Sequence, residues 1–215
     1  GFANELADEI EARGVRKRYF AWTRSTTVNR SPELFERWRG LGLDGAFLGF
    51  EFPTDEQLRA TRKGSTVAQN ELAHDRLRSQ GIAVHAAFML MPESDEADFE
   101  RLRNYVRAMP PAQCSFTVCT PSPGTDDYAA MESRIWVENP HDLHDCMHPL
   151  TPTKLPLKEF FRLYARQIRE AGTRHPLRVQ RRPVKISEMP RLGWAGMTYG
   201  RAFENAYRDF PREMW

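Results

Sequence analysis

Asp44-Gly-Ala-Phe-Leu-Gly-Phe50, closed by the carboxylate of Glu51, is a short apolar run, and Ile82-Ala-Val-His-Ala-Ala-Phe-Met-Leu90 is a longer one of the same kind. Strands that are apolar throughout are buried on both faces, as in a parallel sheet covered by helices. Between the two runs, Ala68, Leu72, Ala73 and Leu77 mark a helix over about 66–79, and Gly81 stands where such a helix stops. This strand, helix, strand order is the unit of a parallel sheet.

The unit recurs on both sides. Before it, Phe2, Leu6 and Ile10 form one stripe of a helix that ends at Gly14. Arg18-Tyr-Phe-Ala-Trp-Thr23 is aromatic and strand-like. Ser31-Pro32-Glu33 offers a capping Ser, a Pro at the first helical position and an acid in the first turn. Leu34, Phe35, Trp38 and Leu41 give that helix its apolar face. After the unit, Phe99, Leu102, Val106 and Met109 mark a helix from about Glu96 to Ala108, and Ser115-Phe-Thr-Val-Cys119 is a fourth strand. Strands about thirty residues apart suit a βαβ crossover. Residues 1–130 therefore read as α/β, with four parallel strands in sequential order. A closed (β/α) barrel needs more strands than four. The reading leaves two forms: a small open sheet, or the second half of a barrel.

Residues 131–215 read as an extension. Asn139-Pro140, Pro149, Pro152 and Pro156 make 138–156 mostly loop. Leu157, Phe160, Phe161, Tyr164 and Ile168 define one amphipathic helix. From Arg162 to Arg191 there are nine Lys and Arg against two acids, a local positive excess.

Composition excludes several classes. With 215 residues, 40% hydrophobic and 11% aromatic, the chain has apolar material for a core and is not globally disordered. A net charge of +2 gives no global reason to expect a nucleic-acid partner. No run approaches the ~18 apolar residues of a membrane span. The acidic, amphipathic start, residues 1–14, is not a signal peptide. Cys114, Cys119 and Cys146 are odd in number and sparse, which argues for a reducing compartment and match no metal-binding spacing. A cytoplasmic location is expected, with peripheral membrane contact as its variant.

Ligands of open α/β sheets and barrels bind outside the carboxyl ends of the strands. That rule selects Thr23–Thr26, Phe50–Pro53, Met91–Glu93 and Thr120–Thr125. Glu51, directly after an apolar strand, either caps a loop or binds a cationic or hydroxylated ligand. Arg24 suits a carboxylate or phosphate, or a surface ion pair. His85 lies mid-strand, either in the core or pointing into a lumen. His141, His144 and His148 lie near Asp142, Asp145 and Cys146, but prolines bracket them and no zinc spacing is matched, so a polar loop competes with a metal site. No glycine-rich phosphate loop and no nucleophile elbow is present.

Four segments resemble the second half of a radical S-adenosylmethionine (SAM) barrel. They are Arg18–Arg24 followed by Ser31-Pro-Glu-Leu-Phe; Leu41–Glu51 with Leu58, Lys63-Gly-Ser-Thr66 and Asn70-Glu-Leu-Ala73; Gly81–Leu90 with Pro92 and Asp98–Leu102; and Thr120-Pro-Ser-Pro-Gly-Thr-Asp-Asp-Tyr128, similar to the family's T-P-x-P-G-T-x-x-Y. Asp142-Leu-His144 and Pro152–Phe161 resemble the cobalamin-binding subgroup of hopanoid C-3 methylase type.

The resemblance implies a partial (β/α) barrel with a mainly helical and loop extension, working with SAM, a [4Fe-4S] cluster and cobalamin. The family's cluster motif, C-x-x-x-C-x-x-C, is absent here, so the chain reads as a C-terminal fragment that is inactive alone. Its partner would be the N-terminal half of its own chain. Its substrate would be a small molecule or lipid, methylated or otherwise attacked at an unreactive carbon. The resemblance puts Glu51 on the SAM ribose or amino group and Arg24 on the SAM carboxylate. Backbone around Leu90, Met91 and Thr120 would line the adenine, although the family often has glycine near Met91. It assigns no catalytic residue and no metal ligand to this chain. The competing reading is a stand-alone α/β binding module whose basic stretch, 162–191, grips RNA or an anionic membrane with steep salt dependence. Such a module would leave a long apolar strand edge unpaired.

Overall fold

The computed structural model describes residues 1–138, 140–172 and 199–215. The elements follow in the order α1 (Phe2–Ala12), β1 (Tyr19–Thr23), α2 (Ser25–Arg30), α3 (Pro32–Leu41), β2 (Leu43–Glu51), α4 (Asp55–Ala60), α5 (Val67–Ser79), β3 (Ala83–Leu90), α6 (Glu96–Ala108), β4 (Gln113–Val118), α7 (Asp126–Met131) and α8 (Leu157–Gly172). The strands form one four-stranded parallel sheet in the order β1-β2-β3-β4. All four expected strands and the five helices expected over 2–12, 31–41, 66–79, 96–108 and 157–168 are present.

Three short helices, α2, α4 and α7, were not legible in the pattern. α2 reads Ser-Thr-Thr-Val-Asn-Arg, mostly residues of modest helix propensity. Tertiary contact holds it: Asn29 Nδ2 donates to the Gln69 carbonyl at 2.8 Å and Arg76 to the Asn29 carbonyl at 2.5 Å, tying α2 to α5. α4 begins at a Thr54 cap whose hydroxyl accepts the Gln57 N–H at 3.3 Å. α5 begins at a capping box in which Thr66 and Gln69 satisfy each other's backbone N–H.

The chain divides into two compact units, residues 1–88 with 109–115, and residues 89–108 with 116–215. In the first, Ala46, Leu48 and Phe50 of β2 and Val84, Ala86 and Phe88 of β3 are buried, as are Leu58 of α4 and Ala73 and Leu77 of α5. Phe50 and Phe88 meet edge to face at 5.8 Å. α1 closes on α3 through Ala7, Ile10 and Leu41, and Arg37 bridges Asp8 and Glu11 at 2.6 Å each. Between α3 and β2, Gly42 has φ 114°, and a Cβ there would overlap the Lys17 carbonyl. Only glycine fits this turn.

Burial on both faces holds less widely than expected. Side chains alternate across a strand, and on β1 Phe20 and Trp22 are exposed while Phe47 and His85 on the same register are half-buried. Trp22 pairs with Phe47 and Phe47 with His85 across the three strands. One face of the sheet in this unit is sealed; the other is partly open.

In the second unit, Phe99 of α6 meets Phe160 of α8 edge to face at 5.5 Å. Tyr164 is fully buried, and its hydroxyl donates to the Phe116 carbonyl at 2.6 Å. Phe161 packs near Phe203 and Phe210 of the last segment. No described helix is long and apolar enough to cross a membrane.

Candidate functional site

The carboxyl end of β2 does not run straight. The Phe52 N–H donates to the Phe50 carbonyl at 2.8 Å, and Glu51 between them has φ 64°. A three-residue turn with positive φ is the rare and strained kind, and glutamate has none of glycine's freedom there. The register with β3 slips at the same place, between Gly49 and Glu51. Bulges and strained backbone recur beside functional sites.

Three neighbours fix this turn. Asn70, fully buried on α5, donates its Nδ2 to the Phe50 carbonyl at 3.2 Å. Lys63, on the loop between α4 and α5, donates to Glu51 Oε1. Gly49 leaves the space the carboxylate occupies; a Cβ there would overlap Glu51 Oε1. The Glu51 carboxylate is thus folded back over the strand end, 12% exposed.

It lines a cavity of about 300 Å³ in the first unit, with Trp22, Arg24, Ser25, Phe47 and Lys63 around it. Ser25 is 3% exposed, and its hydroxyl has no hydrogen-bond partner among the described residues. A buried polar atom left unpaired costs free energy unless a ligand or water completes it. The Arg24 carbonyl accepts the Thr27 and Val28 N–H groups at the start of α2, while its guanidinium pairs with no carboxylate among the described residues. Trp22 stacks on Phe47 with centroids 4.4 Å apart, and the His85 ring lies 4.9 Å beyond. Burial pushes the His85 imidazole below its ordinary pKa, and its buried Nε2 has no partner among the described residues. One carboxylate, two cations, free hydroxyls and an aromatic wall suit a ligand that combines charged or hydroxylated groups with a flat ring.

The structure therefore brings Glu51 and Arg24 to one cavity. Leu90, Met91 and Thr120 belong to the second unit. There the Leu90 carbonyl accepts the Cys119 N–H at 2.8 Å, the Met91 N–H donates to Ser94 Oγ at 3.2 Å, and the Thr120 hydroxyl donates to the Val118 carbonyl at 3.0 Å. His144 faces the Pro121 carbonyl at 3.1 Å. His148 lies between Asp145 and Asp209, at 2.8 and 3.2 Å, with the Phe161 and Phe210 rings against it. Among the described residues no three His, Cys, Asp or Glu converge to hold a metal ion. The basic stretch 162–191 lies outside the described residues from 173 onward. Before that, Arg162, Arg166 and Arg169 each have a carboxylate partner. Sequence reasoning gave no role to Lys63, Asn70 or Gly49. All three stood only as parts of quoted motifs, with no signal in the sequence that joins them to Glu51.

A four-stranded parallel sheet with a charged cavity at a strand's carboxyl end defines an α/β protein. The apo, selenomethionine-labelled, cobalamin-dependent S-adenosylmethionine radical enzyme OxsB shares the fold, with a TM-score of 0.56 over 95% of this chain and 36% of its own, at 12% identity. No protein-family profile matches the chain. Hopanoid C-3 methylase of Methylococcus capsulatus is 34% identical over 157 residues, 73% of this chain and 30% of its own length. Anaerobic magnesium-protoporphyrin IX monomethyl ester cyclase of Rubrivivax gelatinosus is 26% identical over 134 residues, 62% of this chain and 24% of its own. The chain is a homologue of hopanoid C-3 methylase and belongs to that enzyme's radical SAM family. It spans less than a third of the length of either relative.

Proposed function

We propose that this chain is the SAM-binding second half of a cobalamin-dependent radical SAM enzyme that modifies an unreactive carbon, by methyl transfer or a related radical reaction. One observation carries the reading. Glu51 is held in a strained, left-handed turn at the carboxyl end of a parallel strand, with its carboxylate in a cavity that also holds Lys63, Arg24 and the unpaired Ser25 hydroxyl. A loop cap needs no such strain.

The residues fit SAM. Glu51 receives a ribose hydroxyl or the amino group of SAM, and Arg24 its carboxylate. Beside a reduced [4Fe-4S] cluster that gives it one electron, SAM would supply radical chemistry; Glu51 and Arg24 would bind and orient it. The chain's own cysteines do not fit the cluster: Cys114 and Cys119 are half-buried, Cys146 is exposed, and no metal-holding group is formed among the described residues. The cluster and cobalamin are therefore assigned to other parts of the enzyme. The other half of the barrel is the expected partner, and a small molecule or lipid the expected substrate.

Titrating SAM into the cluster-loaded full-length enzyme, as wild type and as Glu51→Gln, by calorimetry tests the proposal. A clear loss of affinity in a variant that still folds supports it. Equal affinities, with a lower Tm in the variant, overturn it and make Glu51 a structural residue.

A further inference from the structure

Asn70 is fully buried, and the need for it is not explained by stability. Its Nδ2 has one acceptor, the Phe50 carbonyl, and its Oδ1 has no partner among the described residues. An unsatisfied buried amide oxygen is unfavourable, and an apolar side chain of similar size would avoid it. The Phe50 carbonyl would keep a donor without Asn70, because the Phe52 N–H already reaches it at 2.8 Å. The amide therefore adds a second donor to the one carbonyl that precedes Glu51. A carbonyl held from two directions cannot swing, and its orientation fixes the peptide on which the φ of Glu51 turns.

We propose that Asn70 is a positioning residue: through the Phe50 carbonyl it holds Glu51 in its left-handed conformation and so keeps the carboxylate in the cavity beside Lys63. The proposal rests on the SAM reading of that cavity. Gly49 contributes by leaving the carboxylate room. Without Asn70, the strain at Glu51 relaxes toward an extended strand end. The carboxylate then no longer lies folded back against Lys63.

The test uses the cluster-loaded full-length enzyme as wild type, Asn70→Leu, Glu51→Gln and the double variant, with Asn70→Ala in place of leucine if leucine is not accommodated. Three quantities are measured: SAM affinity, Tm, and the rate at which Lys63 is acylated by an amine-reactive ester, read by peptide mass spectrometry. The expected result is a five- to thirtyfold loss of SAM affinity in Asn70→Leu with Tm no lower than wild type. The double variant should bind within twofold of Glu51→Gln, since both changes remove the same contact. Lys63 should be acylated several times faster in Asn70→Leu, matching Glu51→Gln, because its carboxylate partner has gone.

Unchanged affinity and unchanged acylation in Asn70→Leu overturn the proposal, as do losses that multiply in the double variant. A lower Tm with unchanged acylation makes Asn70 a packing residue and also overturns it. If wild type binds no SAM, the SAM reading fails, and the acylation rates still decide the role of Asn70, since they need no ligand.

Discussion

Lys63 Nζ and Glu51 Oε1 are joined across a gap of 12 residues, the acid at the end of a strand and the amine on the loop after the next helix. The two partners are unequally covered, at 35% exposure for Lys63 and 12% for Glu51. The carboxylate has given up most of its water, while the ammonium keeps much of its own. Pairs with one exposed partner contribute about 0–1 kcal/mol. A ligand ammonium or hydroxyl can therefore take the place of Lys63 at small cost, which suits a site that must exchange its ligand.

Glu51→Gln keeps the shape and removes the charge. A hydrogen bond to a charged group is worth about 1.5–3 kcal/mol, and about 1.4 kcal/mol is a factor of ten. SAM affinity is expected to fall roughly ten- to a hundredfold, with little change in Tm. Isothermal titration beside a thermal melt measures both.

Glu51→Gly separates strain from stability. Left-handed backbone costs a residue with a Cβ roughly 1–2 kcal/mol, and glycine almost nothing. The relief is about the same size as the lost ion pair and the added unfolded-chain freedom of glycine together. Urea unfolding should show a variant close to wild type in stability, and SAM titration should show binding lost. A clear destabilisation would mean that the conformation is not strained.

Asp95 gives the second unit an acid-sensitive contact. Its carboxyl is held down to about 2 from an ordinary 3.8, first by the hydrogen bond from Lys154 at 2.8 Å and then by backbone N–H donors at the start of α6. A folded pKa below the unfolded one adds stability above the unfolded value, and this is lost as pH falls through the folded one. The loss therefore runs between about pH 4 and pH 2. Asp95→Asn, which can still cap α6, should flatten this part of the stability profile. Urea midpoints at intervals across that range, for both proteins, make the comparison.

The three cysteines should react in a fixed order. Burial pushes the Cys114 thiol up to about 12, which leaves little thiolate at neutral pH. Cys146 is exposed. Native-state alkylation with iodoacetamide, followed by mass spectrometry, should label Cys146 first and Cys114 last.

Much of this protein was legible from its side chains in order. Apolar runs at 44–50 and 82–90, separated by a helix with its stripe and its stop, specify strands and crossovers, because periodicity and capping are local properties. The carboxyl ends of those strands then point to Glu51 and Arg24, since ligands of parallel sheets bind there. The short helix Ser25–Arg30 was not legible, because its contacts with α5, rather than its own propensities, hold it.

What the sequence by itself determined is the order of strands and helices, the family resemblance and the strand end to which that resemblance assigns a ligand. What only the tertiary structure decided is how Glu51 is aimed. Asn70 lies 20 residues away, Lys63 12 residues away, and Gly49 acts by what it lacks. None of these relations leaves a period or a motif in the chain. They depend on the α4–α5 loop and the α5 helix returning to the end of β2, and folding alone brings those atoms within hydrogen-bond reach.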